Sequence, residues 1–115
     1  MLKVYGIKNC SSMKKTFDLL TELELAYEFH DYKKNGIDAE TVKVWLDEMG
    51  ADRVLNKKGT TWRKLTPTEQ DTALASDTGL IEALTTHTSL IKRPIIVTGK
   101  ALIVGFDEAS IRALK

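Results

Sequence analysis

The stretch Leu2-Lys3-Val4-Tyr5-Gly6-Ile7-Lys8-Asn9-Cys10-Ser11-Ser12-Met13 decides how the chain begins to fold. Leu2 to Gly6 reads as a short strand, with the glycine as its stop signal. A helix follows, for which Ser11 or Ser12 can serve as the cap. Met13, Thr16, Phe17, Leu20 and Leu23 fall on one face of it. Ala26 to Tyr32 then alternates, with Tyr27 and Phe29 on one side and Glu28, His30 and Tyr32 on the other. That is a strand pattern. Strand, helix and strand in succession make a βαβ unit, so the two strands pair in parallel through a right-handed crossover.

Further along, Asp38 can cap a helix in which Val42, Trp45, Leu46 and Met49 repeat at helical spacing, and Gly50 fits its end. Thr66-Pro67-Thr68-Glu69 is a capping box with proline at the first helical position. Leu80, Ile81 and Leu84 suggest another helix. The pattern then changes to Ile95-Ile96-Val97, a Thr98-Gly99-Lys100 turn, and Leu102-Ile103-Val104. This is a hairpin of two largely buried strands. Asp107 can cap a final helix carrying Ile111 and Leu114. The expected class is α/β, a four-stranded mixed sheet flanked by helices. The thioredoxin fold has this element order. Here a helical insertion over about residues 36–90 separates its βαβ and ββα halves, within one domain spanning 1–115.

Composition narrows the function. A hydrophobic fraction of 43% against 29% charged residues argues against disorder. The formal charge of +1 gives no overall electrostatic case for nucleic acid or an anionic membrane. No run approaches the roughly 18 apolar residues that a membrane span needs. The first residues lack the apolar region of a signal peptide. One cysteine excludes an internal disulfide and a Cys-based zinc cluster. His30 and His87 are far apart and have no third ligand at metal spacing, so no metal is expected. A free thiol without an export signal fits a reducing cytoplasm.

The place of that cysteine gives it chemistry. The first N–H groups of a helix lack intrahelical partners, and the helix end carries about half a positive charge. A thiolate at Cys10 is stabilised there, and Lys8, Lys14 and Lys15 lie nearby in sequence. Such settings lower a cysteine pKa from about 8.5 to roughly 3.5–7.5. The thiolate is the nucleophile toward disulfides. Met13 occupies the place of the second thiol of a Cys-x-x-Cys motif. The chain therefore cannot resolve a mixed disulfide internally and needs an outside thiol.

Gly6-Ile7-Lys8-Asn9-Cys10 followed by Met13-Lys14-Lys15 resembles the active-site segment of the arsenate-reductase-related (ArsC/Spx) thioredoxin-like proteins. His30-Asp31-Tyr32, Gly36-Ile37, Val54-Leu55-Asn56, Gly59-Thr60-Thr61-Trp62-Arg63-Lys64-Leu65 and Ile91-Lys92-Arg93-Pro94 extend the likeness. It spans essentially the entire chain and is nearest to the YffB-like subgroup. The resemblance implies a thioredoxin-like fold with Cys10 near the helix start, and a glutathione-dependent thiol reductase activity. It also shows departures. Arsenate reductases of this family hold the oxyanion with three arginines, and only Arg93 is matched. Asn56 stands at the second position, and the third falls near Gly105. Without the bidentate charge-assisted contacts, arsenate would be poorly bound.

Between Arg53 and Thr68 there is no acidic residue, while Arg53, Lys57, Lys58, Arg63 and Lys64 supply positive charge. A solvated loop face accounts for many such runs. The functional expectation is an anion-binding wall beside Cys10. Glutathione carries two carboxylates and one ammonium, which suits a few cations. Thr61 can add a hydroxyl donor, and Arg63 is the first choice for gripping a carboxylate. By resemblance the Arg93–Pro94 bond should be cis, offering backbone for pairing with glutathione and setting Arg93 at the mouth of the site. The full expectation is catalysis by Cys10. Lys8, Asn9, Ser11, Thr61, Arg63, Arg93 and Pro94 bind glutathione, as cosubstrate, and a disulfide or glutathionylated substrate. The alternatives are an arsenate reductase, or an Spx-type regulator that binds RNA polymerase.

Overall fold

A computed structural model describes all 115 residues. The chain runs through strand β1 (Leu2–Gly6), helix α1 (Ser11–Glu22) and strand β2 (Tyr27–Asp31). A series of helices then leads to strands β3 (Ile95–Val97) and β4 (Leu102–Val104). The sheet order is β2-β1-β3-β4. β1 and β2 are parallel, from Leu2 opposite Tyr27 to Gly6 opposite Asp31. β3 is antiparallel to both β1 and β4. This is the expected mixed four-stranded sheet with flanking helices, a thioredoxin-like fold.

Two compact units result: Met1–Asn35 with Arg93–Lys115, and Gly36–Lys92. The first holds the sheet. Register puts Val4 opposite Ile96, and Ile96 opposite Ile103. These three share a core with Met13, Leu19 and Leu20 of α1 and with Ile111 of α8 (Glu108–Arg112). Fully burying each aliphatic side chain contributes about 1.5–3 kcal/mol before the chain entropy is counted. Asp107 caps α8 by accepting from the Ser110 N–H at 3.1 Å. Arg112 ties α8 to α1 through Glu22, at 3.0 Å.

The junction between β1 and α1 is tight. A Cβ at Gly6 would collide with the Met13 thioether, and Met13 is fully buried. The residue at the second-thiol position is thus a core residue locking the strand end to the helix start. The cap differs from expectation. Ser11 and Ser12 lie inside α1, and Cys10 itself is the N-cap, with extended backbone at φ −148° and ψ 133°. The Thr16 hydroxyl donates back to the Ser12 carbonyl at 2.7 Å.

In the second unit, Asp38 caps α3 (Ala39–Met49) through the Thr41 N–H at 2.7 Å, and Gly50 ends it at φ +83°. Val42 and Trp45 are buried there. The capping box holds at α6 (Pro67–Ala75), where the Thr66 hydroxyl and Glu69 carboxylate each accept from the other's backbone N–H. Ser76 caps α7 (Asp77–Thr86). Four short pieces were not legible: α2 (Tyr32–Asn35) in the first unit, and α4 (Ala51–Val54), α5 (Thr60–Lys64) and a 3₁₀ turn at Thr88–Leu90 in the second. Each is too short to display a helical period. An antiparallel bridge between Leu55 and Ile91 closes this unit. No helix of the chain is long and apolar enough to cross a membrane.

Candidate functional site

Cys10 is half-buried at the N-cap of α1. Burial pushes its pKa up, but the opposing effects win and the net direction is down. They are, in order, the Met13 amide, a hydrogen bond from the Arg93 side chain, the Ser12 amide and the Arg93 charge. The neutral thiol makes no capping hydrogen bond; the ionised sulfur is what these amides and the guanidinium favour. Lys8, Lys14 and Lys15 are not among the groups that set the shift. Lys14 instead pairs with Asp18 at 2.8 Å, and the Lys15 ammonium lies 6.0 Å from the Phe106 ring centre. The cation acting on the sulfur is Arg93, which corrects the expectation that lysines would do so.

Arg93 reaches Cys10 because β3 pairs with β1. Tyr5 lies opposite Ile95, so the residues just before β3 adjoin the turn after β1. The Arg93–Pro94 peptide is cis, as the resemblance implied. Pro94 is buried, and its carbonyl accepts from the Gly105 N–H at 2.8 Å. Arg93 also acts electrostatically on Tyr32, whose phenol is pushed upward by burial and by Tyr5. Tyr32 stacks near Tyr5, at 6.4 Å between ring centres, and its hydroxyl is buried without a partner. The His30 ring lies 4.8 Å from that of Tyr5, a packing role.

A cavity of about 430 Å³ opens beside Cys10, lined by Lys8, Asn9, Cys10, Ser11, Lys14, Phe17 and Asp18. Lys8, Asn9 and Ser11 were anticipated as binding residues. Lys14, Phe17 and Asp18 were not. Their positions one and two helical turns beyond Cys10 were the available signal.

Thr61 and Arg63 belong to the other unit. They sit on α5, so part of the basic run is helical. The Thr61 hydroxyl bonds Ser89 at 2.7 Å, and an Arg63 Nη2 donates to the Lys58 carbonyl at 2.7 Å. Trp62 is buried, with the Lys57 ammonium 6.0 Å from its ring centre. Asn56 accepts from the Lys58 N–H at 3.1 Å, closing the turn between them. Gly105, at the third arginine position, has φ +79°, where a branched or long side chain would be strained. Nowhere do three His, Cys, Asp or Glu side chains converge as a metal would require.

Fold and site together define a thioredoxin-like protein with a single cysteine at the start of its first helix. The chain belongs to the ArsC family, whose family model matches residues 5–114. An uncharacterized protein of Haemophilus influenzae is 35% identical over 113 residues, covering 98% of this chain and 97% of that one. The global transcriptional regulator Spx of Streptococcus agalactiae is 28% identical over 115 residues, covering 98% of this chain and 82% of that one. Among solved structures, a YFFB protein superposes with a TM-score of 0.92 at 41% identity, covering 98% of this chain and 97% of that one.

Proposed function

We propose that the chain is a glutathione-dependent thiol–disulfide reductase working through Cys10 and an external resolving thiol. The observation that carries this reading is the lowered Cys10 pKa, held down by two backbone amides and the Arg93 side chain. The Cys10 thiolate attacks one sulfur of a mixed disulfide. A Cys10–S–S–glutathione bond forms, and the substrate sulfur leaves as a thiolate that takes a proton from water. A second glutathione thiolate attacks the glutathione sulfur of that bond. Oxidised glutathione leaves and the Cys10 thiolate returns, so the free glutathione and the one first carried by the substrate end as one disulfide and the substrate thiol is released. Met13 at the second-thiol position supports the external route.

Lys8, Asn9 and Ser11 border the reacting sulfur, and Arg93 and Pro94 stand beside it in this reading. Thr61 and Arg63 are proposed to meet one glutathione carboxylate; Arg63 has donors beyond the one spent on Lys58. Such a reaction belongs in a reducing cytoplasm. Arsenate reduction is disfavoured, with Arg93 the one arginine filled of three. The test is turnover of a glutathionylated peptide in the presence of glutathione, against a Cys10→Ser control. Reduction well above the control is expected. Equal rates would exclude the enzyme and leave a regulator, with RNA polymerase as its partner, in its place.

A further inference from the structure

We propose that the α1 wall of the Cys10 cavity is the subsite for the γ-glutamyl end of glutathione. Lys14 and Asp18 bind its carboxylate and ammonium, and Phe17 covers its methylene chain. The proposal rests on the glutathione reading above and says where that molecule lies.

Three observations carry it. Lys14, Phe17 and Asp18 line the same cavity as Cys10, on one helix face at spacings of one and two turns. Lys14 and Asp18 form an ion pair at 2.8 Å with both side chains largely exposed. A γ-glutamyl group ends in an ammonium and a carboxylate on one carbon, the charge complement of that pair laid antiparallel to it. An exposed ion pair holds its partners weakly, so opening it to a second pair of charges costs little. Phe17 is a fixed wall. Its ring stacks on Tyr27 at 5.5 Å and meets Phe29 edge-on at 5.1 Å.

Reach agrees with this placement. Seven bonds separate the glutathione sulfur from the α-carbon of its γ-glutamyl group, roughly 9 Å when extended. Along a helix, positions four and eight residues from Cys10 lie about 6 and 12 Å away. The zwitterion of a glutathione bonded to Cys10 thus falls between Lys14 and Asp18. The glycine carboxylate, on the shorter arm, is left for the other cations proposed above.

Cysteinylglycine has the same thiol and glycine carboxylate but lacks the γ-glutamyl group. Reduced protein is mixed with glutathione disulfide or with cysteinylglycine disulfide, and the rate of adduct formation on Cys10 is followed by intact mass. Wild type is expected to prefer glutathione disulfide. Lys14→Gln and Asp18→Asn should each slow that reaction about threefold to tenfold more than the reaction with cysteinylglycine disulfide, the loss of one charge-assisted contact. The exchange Lys14→Asp with Asp18→Lys keeps the net charge and an ion pair but reverses its direction, and should not restore the preference. Equal preference in wild type and all variants, or none in wild type, would overturn the subsite alone. No adduct with either disulfide would overturn the glutathione reading and the subsite with it.

Discussion

The Arg93 side chain holds the pKa of the Cys10 thiol down, joining two residues that the β1–β3 pairing brings together from opposite ends of the chain. Removing that guanidinium leaves burial less opposed, so the thiol pKa rises. Arg93→Met should therefore lose activity on a glutathionylated peptide at pH 7, by up to about tenfold for each unit of pKa gained. Its pH–rate profile should shift to higher pH, with much of the loss recovered under alkaline conditions. Arg93→Lys, which keeps the charge but not the fork, should fall between. A profile unshifted in Arg93→Met would show that this residue does not act on the thiol.

The same lowered pKa has a signature in stability. The folded state holds the Cys10 proton more weakly than the unfolded chain, so the ionised form favours folding. Its contribution is complete above the ordinary thiol value of about 8.5 and is lost as pH falls through the lower folded value. Relative to Cys10→Ser, the reduced wild type should gain stability between pH 6 and pH 9. Urea unfolding under reducing conditions measures it. A gap that narrows with rising pH would contradict a depressed pKa.

Tyr32 carries a buried hydroxyl without a partner, which costs about 1–3 kcal/mol of desolvation. Tyr32→Phe removes that group and keeps the ring against Tyr5. Stability should be unchanged or raised by up to about 1 kcal/mol, read from the denaturant midpoint. A loss larger than that would mean the hydroxyl is bonded in solution.

Gly6 and Met13 are coupled through contact. Gly6→Ala should cost about 1–3 kcal/mol by overpacking, and Met13→Ala about 2–5 kcal/mol by leaving a cavity. Because the new methyl points at the vacated thioether, the double variant should be less destabilised than the sum of the two. Strict additivity would show that the two residues do not press on one another.

Much of the fold was legible because its signals are local. Asp38, the Thr66–Glu69 box and Asp107 each announce a helix with a side chain three residues from the amide it caps. The alternation of Tyr27 and Phe29, and the Ile95–Val104 hairpin, announce strands in the same way. Short helices such as Thr60–Lys64 carry no such period, and tertiary context makes them. The site was half legible. Cys10 could be placed at a helix start from its neighbours, but the cap was assigned to serines that lie inside the helix. Lysines close in sequence were credited with an influence that belongs to Arg93, because adjacency along a chain says little about where a long side chain goes. Lys14 and Phe17 were read as a charge and a core residue. Only the cavity shows that they line one wall with Cys10.

The central claim is that Cys10 is an activated thiolate. The direct measurement is the rate of alkylation of the reduced chain by a neutral alkylating reagent across pH 4 to 10, with Cys10 its one thiol. The midpoint should lie clearly below the free value of about 8.5 and move upward in Arg93→Met. A wild-type midpoint at or above the free value would contradict the claim.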